Sequence, residues 1–419
     1  MPGLCYTLPM DVGRKRLLLI AGFIAVVLVL AFALYFFFFR KPTTEPIATP
    51  PGTQVPGQLP SGGVAGGRPT GTTETVPGGL PQGSVIPQLG QIPGTPTPSR
   101  VSVLRAEVTS AVSSSPDGGV RAYNPLDGRF YRIRDDGTTE LLSDEVFYNV
   151  DQVDWANRSD KAILTYPDGS NVYYDFASER QTTLPKHWED FGFSPQDEKI
   201  VAKSLGNSES NRFLVIANPD GTGVQAVEDL GDNADQVLPD WSPNNQVVAF
   251  STTGEPLGFD RQSVLLVGQN HENFKALVVE GRGFLPNWSP TGASLLYSVH
   301  SSSNGYRPTL WISAASGDSV GEGRRNLQLQ TWADKCVWQG DAVIYCAVPT
   351  QLGEGAGLQR ELFSTVPDAL YRIDLATGQA LSLGVPEGNP AIRDLLISQD
   401  GRALYFTDRA TGNLIRFGL

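Results

Sequence analysis

The hydrophobic pattern begins with one long apolar segment near the N-terminus. Residues 17–39 contain no charged side chain, and a helix of this length would extend about 35 Å at 1.5 Å per residue. The apolar core of a bilayer is roughly 30 Å thick, so the segment predicts a single transmembrane helix. Residues 1–16 are predicted to be a cytoplasmic tail, because Arg14, Lys15 and Arg16 directly precede the helix and basic residues favour the cytoplasmic side.

A cleaved signal peptide is the alternative interpretation of this segment. Ala31, Phe32 and Ala33 have the small-x-small form that a signal peptidase recognises. Cleavage there would leave Phe36 to Phe39 exposed at the new N-terminus, and the apolar run is longer than the usual core of a signal peptide. The uncleaved anchor is therefore the prediction, with the rest of the chain outside the cytoplasmic membrane.

Residues 40–100 have the composition of a disordered linker. Between positions 42 and 98, 13 Pro and 12 Gly occur among 57 residues, with three charged side chains and no aromatic one. A segment of this composition cannot form a packed core. As a flexible coil it would span roughly 40 Å, which would hold the following region away from the membrane.

Residues 101–419 contain seven copies of one short sequence motif, the repeated phrase, in which turn residues follow a large apolar residue. Successive copies are separated by 41, 38, 48, 47, 50 and 59 positions, the period expected for a four-stranded propeller blade with variable loops. We therefore predict an all-β, seven-bladed propeller. The copies begin at Ser114, Trp155, Phe193, Trp241, Trp288, Trp338 and Ile397.

The fifth repeat shows the four predicted strands most clearly. Residues 284–288, 293–300, 309–314 and 326–331 are strand-length segments separated by turn residues, and the last alternates apolar and polar positions. Each repeat would form one antiparallel sheet that packs against its neighbours around an axis. The recurring Trp or Phe is predicted to be a core residue between blades and not part of a ligand cage.

The seventh repeat is one strand short of a blade. Residues 101–107 (VSVLRAE) are predicted to supply that strand, which would join the two ends of the domain and leave no open sheet edge. The copies at Ser114, Ala156, Gln339 and Ile397 depart from the common phrase, so a six-bladed arrangement stays open as the alternative.

Two copies of the phrase carry a resemblance to a known family. Residues 239–243 (PDWSP) and 286–290 (PNWSP) resemble the TolB-type, WD-repeat-like propeller blade of bacterial envelope proteins, over nearly all of residues 101–419. Residues 166–203, with PKHWEDF at 185–191, also resemble uncharacterised anchored propellers of small-genome bacteria. The resemblance implies a propeller fold and an address in the cell envelope, and it brings no established activity.

The charge of the chain argues against a nucleic-acid partner. The whole sequence has 32 Lys plus Arg and 44 Asp plus Glu, a formal net charge of −12. Residues 1–100 contain seven of the bases and three of the acids, which leaves 25 minus 41, or −16, for residues 101–419. A domain this acidic would repel a phosphate backbone.

No catalytic pattern is found in the sequence. The G-x-S-x-G elbow, the glycine-rich phosphate loop and the H-E-x-x-H motif are absent, and His187, His271 and His300 fall in different repeats. Neither a metal site nor a cofactor is predicted. The function predicted is an extracytoplasmic interaction module that binds an envelope protein or a surface polymer. The alternative is a propeller enzyme, such as a lyase, lactonase or glycan hydrolase, with its site in the central channel.

The cysteines predict one disulfide bond. The segments around Cys336 and Cys346 can pair as a hairpin centred on Asp341, which places the two cysteines directly opposite each other. Facing residues of antiparallel strands have Cα atoms about 4.5 to 5.5 Å apart, within reach of a disulfide. Two buried free thiols are the alternative. Cys5, on the predicted cytoplasmic side, is expected to stay reduced.

Five acidic residues are predicted to surround one mouth of the central channel. They lie three or four positions before the key residue of their repeats, in the segments that lead into the innermost strands. Together they would attract a basic partner or a cation, unless they are only solvated surface acids. The five are Asp151, Glu189, Asp190, Asp334 and Asp394.

Overall fold

The computed structural model describes residues 22–30, 32, 100–272 and 274–419. Residues 22–30 are helical, and no helix within the described ranges is long and apolar enough to cross a membrane. Most of the predicted transmembrane segment, the cytoplasmic tail with Cys5, and the linker up to residue 99 lie outside the described residues. The chain divides into two units, residues 1–89 and 90–419.

The described part of residues 100–419 forms seven four-stranded antiparallel sheets, which we call blades 1 to 7. Blade 1 comprises β2 (Ser110–Ser114), β3 (Val120–Asn124), β4 (Arg129–Ile133) and β5 (Thr139–Leu141). Blade 2 comprises β6 (Gln152–Trp155), β7 (Lys161–Thr165), β8 (Asn171–Asp175) and β9 (Arg180–Leu184). Blade 3 comprises β10 (Trp188–Phe193), β11 (Ile200–Leu205), β12 (Arg212–Ala217) and β13 (Gln225–Asp229).

Blade 4 comprises β14 (Val237–Pro239), β15 (Val247–Ser251), β16 (Gln262–Gly268) and β17 (Leu277–Val279). Blade 5 comprises β18 (Arg282–Trp288), β19 (Ser294–His300), β20 (Thr309–Ala314) and β21 (Arg325–Asn326). Blade 6 comprises β22 (Cys336–Gln339), β23 (Val343–Pro349), β24 (Asp368–Asp374) and β25 (Gln379–Gly384). Blade 7 comprises β26 (Ile392–Ile397), β27 (Ala403–Asp408), β28 (Leu414–Gly418) and β1 (Val101–Arg105).

The N-terminal strand closes the ring as the sequence predicts. β1 is the fourth strand of blade 7, with Val101 opposite Phe417 and Val103 opposite Ile415. The strand ends at Arg105, two residues earlier than expected. The prediction of seven blades is therefore confirmed, and joining the two chain ends in one sheet leaves no blade incomplete.

The fourth strand of blade 5 is shorter than predicted. Residues 326–331 were predicted as a strand, but β21 contains only Arg325 and Asn326. Gln328 has a φ of 58°, and its backbone N–H donates to Asn326 Oδ1 at 2.6 Å. This turn interrupts the pairing of the edge, although the Leu327 N–H still donates to Leu310 O at 2.9 Å.

The recurring aromatic residues are core residues between blades, as predicted. Trp241, Trp288 and Trp338 are less than a tenth exposed, and each packs in a cluster that joins its blade to the preceding one. The Trp288 ring stacks on Phe250 of blade 4, with centroids 5.2 Å apart. Burial of such large rings at each seam is a major source of stability for a ring of small sheets.

The serine of the repeated phrase has a local structural role. Its Oγ accepts a hydrogen bond from the backbone N–H that begins the second strand, so it closes the hairpin after the innermost strand. The pairs are Ser194 with Lys199 at 3.0 Å, Ser242 with Val247 at 2.8 Å, Ser289 with Ser294 at 3.1 Å and Ser398 with Ala403 at 2.9 Å. Such side-chain bonds to turn backbone explain why Ser recurs there.

The predicted disulfide bond is confirmed. Cys336 and Cys346 face each other in β22 and β23 and form a disulfide bond. The glycines of the Asp-Gly pairs, for example Gly169 and Gly401, adopt positive φ values of 78° and 68° in tight turns, the conformation that glycine permits at low cost.

Candidate functional site

The propeller has two faces that differ in the segments they carry. We call the mouth face the one formed by the connections between blades and by the loops from the second to the third strand of each blade. The back face is formed by the hairpins between the first and second strands and between the third and fourth strands. All five predicted mouth acids belong to segments that enter the innermost strands at the mouth face.

The local positions of these acids differ in part from the prediction. Asp151 directly precedes β6, and Asp334 lies in the 3-10 helix Ala333–Lys335 before β22. Glu189, Asp190 and Asp394 instead lie within the innermost strands β10 and β26. These strands begin earlier than expected because each contains an extra, bulged residue.

The bulges occur in alternate blades. The innermost strands of blades 1, 3, 5 and 7 each have a register shift and one residue of positive φ, namely Ala111, Asp190, Gly283 and Asp394. The innermost strands of blades 2, 4 and 6 pair with their neighbours without a shift. A bulge bends a strand and changes the direction of a side chain, so it sets where Asp190 and Asp394 point.

Three of the five acids are paired with cations. Asp190 forms an ion pair of 2.7 Å with Lys203, which is 5% exposed. The Asp334 carboxylate lies 2.7 Å from Arg360, and Asp394 accepts hydrogen bonds from Arg393 at 3.1 Å and from Thr407 at 2.9 Å. These three carboxylates are therefore less available to a partner than the sequence suggests.

Asp151 and Glu189 remain as exposed carboxylates with no ion pair to any described residue. β10, which carries Glu189 and Asp190, packs against β6, which follows Asp151. The helix Ala333–Lys335 packs against β26. The five acids thus form a group on blades 2 and 3 and a second group on blades 6 and 7.

Two aspartates near the axis were not singled out by the sequence analysis. Burial raises the pKa of Asp154 to about 7; hydrogen bonds from Gln152 Nε2 at 2.9 and 3.1 Å oppose the shift, and the charge of Asp190 adds to it. Burial also raises the pKa of Asp240 to about 7. Their shared position in the sequence could have identified them, since each directly precedes the Trp of its repeat.

A buried ion pair joins blades 6 and 7 at the mouth face. Lys335 Nζ lies 2.7 Å from both oxygens of Asp368, which is fully buried. The Ile392 backbone N–H donates to the same carboxylate at 2.7 Å. Burial lowers the pKa of Lys335 and raises the pKa of Asp368, although each charge stabilises the other. The sequence carried no signal for this pair, since its members are far apart along the chain.

The histidines do not form a site together. His187 and His271 are exposed and belong to different blades, whereas His300 is 9% exposed and burial lowers its pKa. Within the described ranges, no three His, Cys, Asp or Glu side chains are grouped so that they could hold a metal ion.

The mouth face also concentrates exposed apolar side chains. Eight large apolar residues of its loops are more than a third exposed, whereas the back face carries two among the described residues, Val224 in a hairpin and Leu419 after β28. The eight lie in separate loops of blades 1, 4 and 6, and a group of exposed apolar residues that adjoin commonly marks a binding site. The eight are Leu126, Val146, Tyr148, Leu257, Phe259, Leu358, Leu362 and Val385.

Comparison with known proteins supports the fold. Neither a protein-family model nor a curated protein matches the chain. Among solved structures, an oligogalacturonate lyase in complex with manganese matches at 10% identity and a TM-score of 0.53, over 76% of this chain and 93% of that one. The β-propeller domain of Cps50 (Swd1) from Myceliophteria thermophila matches at 10% identity and 0.51, over 76% and 99%.

The tricorn protease matches at 11% identity with a TM-score of 0.50, over 76% of this chain. The match spans 34% of the length of that protease. At such low identity these likenesses show a shared propeller architecture alone, because one fold supports many unrelated functions.

Proposed function

We propose that this protein is a non-catalytic, TolB-like propeller of the bacterial envelope, held by a single membrane anchor, which binds an envelope protein through its mouth face. The observation that carries the proposal is the uneven distribution of exposed apolar residues between the two faces. A surface that had no partner would gain nothing from such a concentration.

One part of this surface lies on blades 1 and 2. Leu126, Val146 and Tyr148 are 73%, 37% and 63% exposed. Their two loops touch at Gly128, where a Cβ would lie 2.9 Å from Val146 Cγ1 and 3.1 Å from Tyr148 Cδ1. Only glycine permits this close approach at a φ of 71°. We call Leu126, Val146 and Tyr148 the apolar patch.

Carboxylates border the apolar patch. Asp144, Glu145 and Asp151 are exposed and belong to the same connection between blades as Val146 and Tyr148. An apolar centre with a charged rim is typical of protein interfaces. The matching partner surface would present apolar side chains surrounded by Lys or Arg, and the opposite charges would speed its association.

A second group of exposed apolar residues is held on a well-anchored loop of blade 6. Leu358 and Leu362 lie between β23 and β24 and are 61% and 70% exposed. The loop is tied to blade 5 by backbone bonds from Gly355 to Gly305 at 2.8 Å and from Gly357 to Tyr306 at 2.7 Å. A preordered loop loses little entropy when a partner binds.

The anchor rests on the sequence. The apolar residues 17–39, the preceding basic residues and the long Pro- and Gly-rich linker support a tether with the propeller on the outside. Protease added to intact spheroplasts should release the propeller by cutting residues 40–100. Full protection of the chain would contradict this topology.

The binding face is tested by in-cell cross-linking with a double substitution, Leu126→Asp with Tyr148→Asp. Both side chains are exposed, so the variant should keep the melting temperature of the wild type while the cross-linked partner is lost. Val224→Asp on the back face is the matched control and should leave the partner bound. Equal cross-linking of wild type and double variant would refute the proposal.

A further inference from the structure

A polar cavity of about 330 Å³ opens at the outer rim of the seam between blades 4 and 5. This volume is near the lower end of the roughly 300–1,000 Å³ typical of small-molecule sites. The half-buried ring of Trp311 lies in its lining, together with the hydroxyls of Ser301 and Ser303 and the carboxylate of Glu280. It is separate from the apolar patch on blades 1 and 2.

One wall of the cavity is a row of amide side chains, Asn326, Gln328 and Gln330. The intervening Leu327 and Leu329 pack against the cluster between blades 5 and 6. The three amides instead line the cavity, together with Glu280 from the connection between blades 4 and 5. Asn326 is the Cα partner of Trp311 in the adjacent strand, so the amide row begins beside the ring.

The amides of this row have unused hydrogen-bonding capacity. Gln328 and Gln330 are exposed, and neither side chain has a hydrogen-bond partner among the described residues. Each amide offers two donors and one acceptor. No core packing or local turn accounts for two such side chains beside an aromatic ring.

The cavity offers no free charge to a ligand. Glu280 is held between Arg261 and Arg324, each 2.9 Å from one of its oxygens. The carboxylate is thus neutralised by groups already in place, and the remaining lining consists of amides, hydroxyls, the aliphatic Val299 and an aromatic ring. This composition suits a neutral ligand with many hydroxyl groups and one apolar face.

We propose that this cavity binds a neutral saccharide, with one sugar ring stacked on Trp311 and its hydroxyls bonded to the amides of Gln328 and Gln330. The C–H face of a pyranose packs on an aromatic ring, while its rim of hydroxyls matches the paired donors and acceptors of amides. The site goes beyond the proposed protein-binding function and does not depend on it.

The test uses the full-length chain in a detergent without a sugar headgroup. Maltotriose, cellotriose, xylotriose, mannotriose and tri-N-acetylchitotriose are titrated separately to about 10 mM, and binding is followed by tryptophan fluorescence and calorimetry. At least one trisaccharide should bind. Failure of all five would overturn the proposal without affecting the protein-binding function, which cross-linking tests separately.

Variants decide whether a bound saccharide occupies this cavity. Gln328→Ala and Gln330→Ala should each weaken binding roughly fivefold, since each removes hydrogen bonds to uncharged groups. Both residues are exposed, so these variants should fold normally. Gln379→Ala, on the exposed outer strand of blade 6, is the matched control and should bind like the wild type. Trp311→Ala should abolish binding, and unchanged affinity in the two Gln variants would place the saccharide elsewhere and refute the site.

Discussion

Two neighbouring seams of the propeller use the same repeat position in opposite ways. At the seam between blades 5 and 6, Asn287 Nδ2 donates to Ala333 O and Cys336 O, both at 2.9 Å. Its Oδ1 accepts from Trp338 Nε1 at 3.0 Å. The Asn287 amide therefore forms hydrogen bonds with three polar groups, and both its NH2 group and its carbonyl oxygen have partners.

The equivalent residue at the seam between blades 4 and 5 is Asp240. It directly precedes Trp241, as Asn287 precedes Trp288, but its carboxylate has no hydrogen bond to a described residue. The indole Nε1 of Trp288, which corresponds to that of Trp338, is buried without a partner. An ionised carboxylate cannot donate to backbone carbonyls, so only a protonated Asp240 can imitate Asn287.

A single atom, the amide nitrogen of Asn287 or the second carboxyl oxygen of Asp240, therefore sets how each seam responds to pH. An amide keeps its donors at every pH, whereas a carboxyl group keeps one only while protonated. The raised pKa of Asp240, about 7, expresses this cost of holding a charge inside the protein.

Asn287→Asp should place at the seam between blades 5 and 6 the same carboxyl group that Asp240 places at the seam between blades 4 and 5. The new carboxylate would face two carbonyl oxygens and could not donate to them, so the free energy of unfolding should fall by about 2–4 kcal/mol at pH 8. Part of the loss should be recovered at pH 5, where the group can be protonated. Urea unfolding at both pH values measures this, with the exposed Asn207→Asp as control. A loss independent of pH would contradict the argument.

Loss of the disulfide should lower stability by about 2–3 kcal/mol, because the bond limits the freedom of the unfolded chain. Cys336→Ala with Cys346→Ala, compared with wild type in urea, measures this loss. Since Cys336 O is an acceptor for Asn287, combining the pair with Asn287→Ala should give less than the sum of the separate effects. Strict additivity would show that the disulfide does not support this seam.

Asp240→Asn should stabilise the protein at alkaline pH by about 1–2 kcal/mol. The folded-state pKa of about 7 lies above the ordinary value of 3.8, so folded Asp240 binds more protons between these values. The contribution of Asp240 to the free energy of unfolding should therefore fall as pH rises from about 4 to above 7. Melting temperatures from pH 5 to pH 8 should converge at the acid end. The exposed Asp318→Asn is the control, and a variant less stable at pH 8 would refute the interpretation.

A pair of Trp→Phe variants measures the contribution of the indole hydrogen bond between Trp338 and Asn287. Both remove part of a buried indole, but Trp338→Phe also leaves Asn287 Oδ1 without its donor, whereas Trp288→Phe removes an N–H that has no partner. The loss for Trp338→Phe should exceed that for Trp288→Phe by about 1 kcal/mol. Chemical denaturation of both variants at one pH gives the difference. Equal losses would mean that the indole hydrogen bond contributes nothing measurable.

The candidate site was predicted less completely than the fold. The sequence indicated acids at the mouth face, and the structure places Asp151, Glu189, Asp190, Asp334 and Asp394 in segments on that face. It did not indicate that Lys203 and Arg360 pair with two of them. Lys203 faces Asp190 from the next strand, but the bulge in β10 shifts the register there, and Asp334 is separated from Arg360 by two strands and a loop. The bulges that direct Asp190 and Asp394 were likewise unpredictable, because they depend on the pairing of whole strands.

The sequence by itself determined the repeat unit, the closing strand and the cysteine pair. Each depends on neighbouring residues or on strict alternation: the serine hairpins form within five residues, and Cys336 and Cys346 are ten apart. The polar cavity beside Trp311, the raised pKa of Asp240 and the partners of the mouth acids depend on the tertiary structure. These features arise where two blades meet, and the energies of burial and hydrogen bonding there depend on atoms that come together only when the ring is closed.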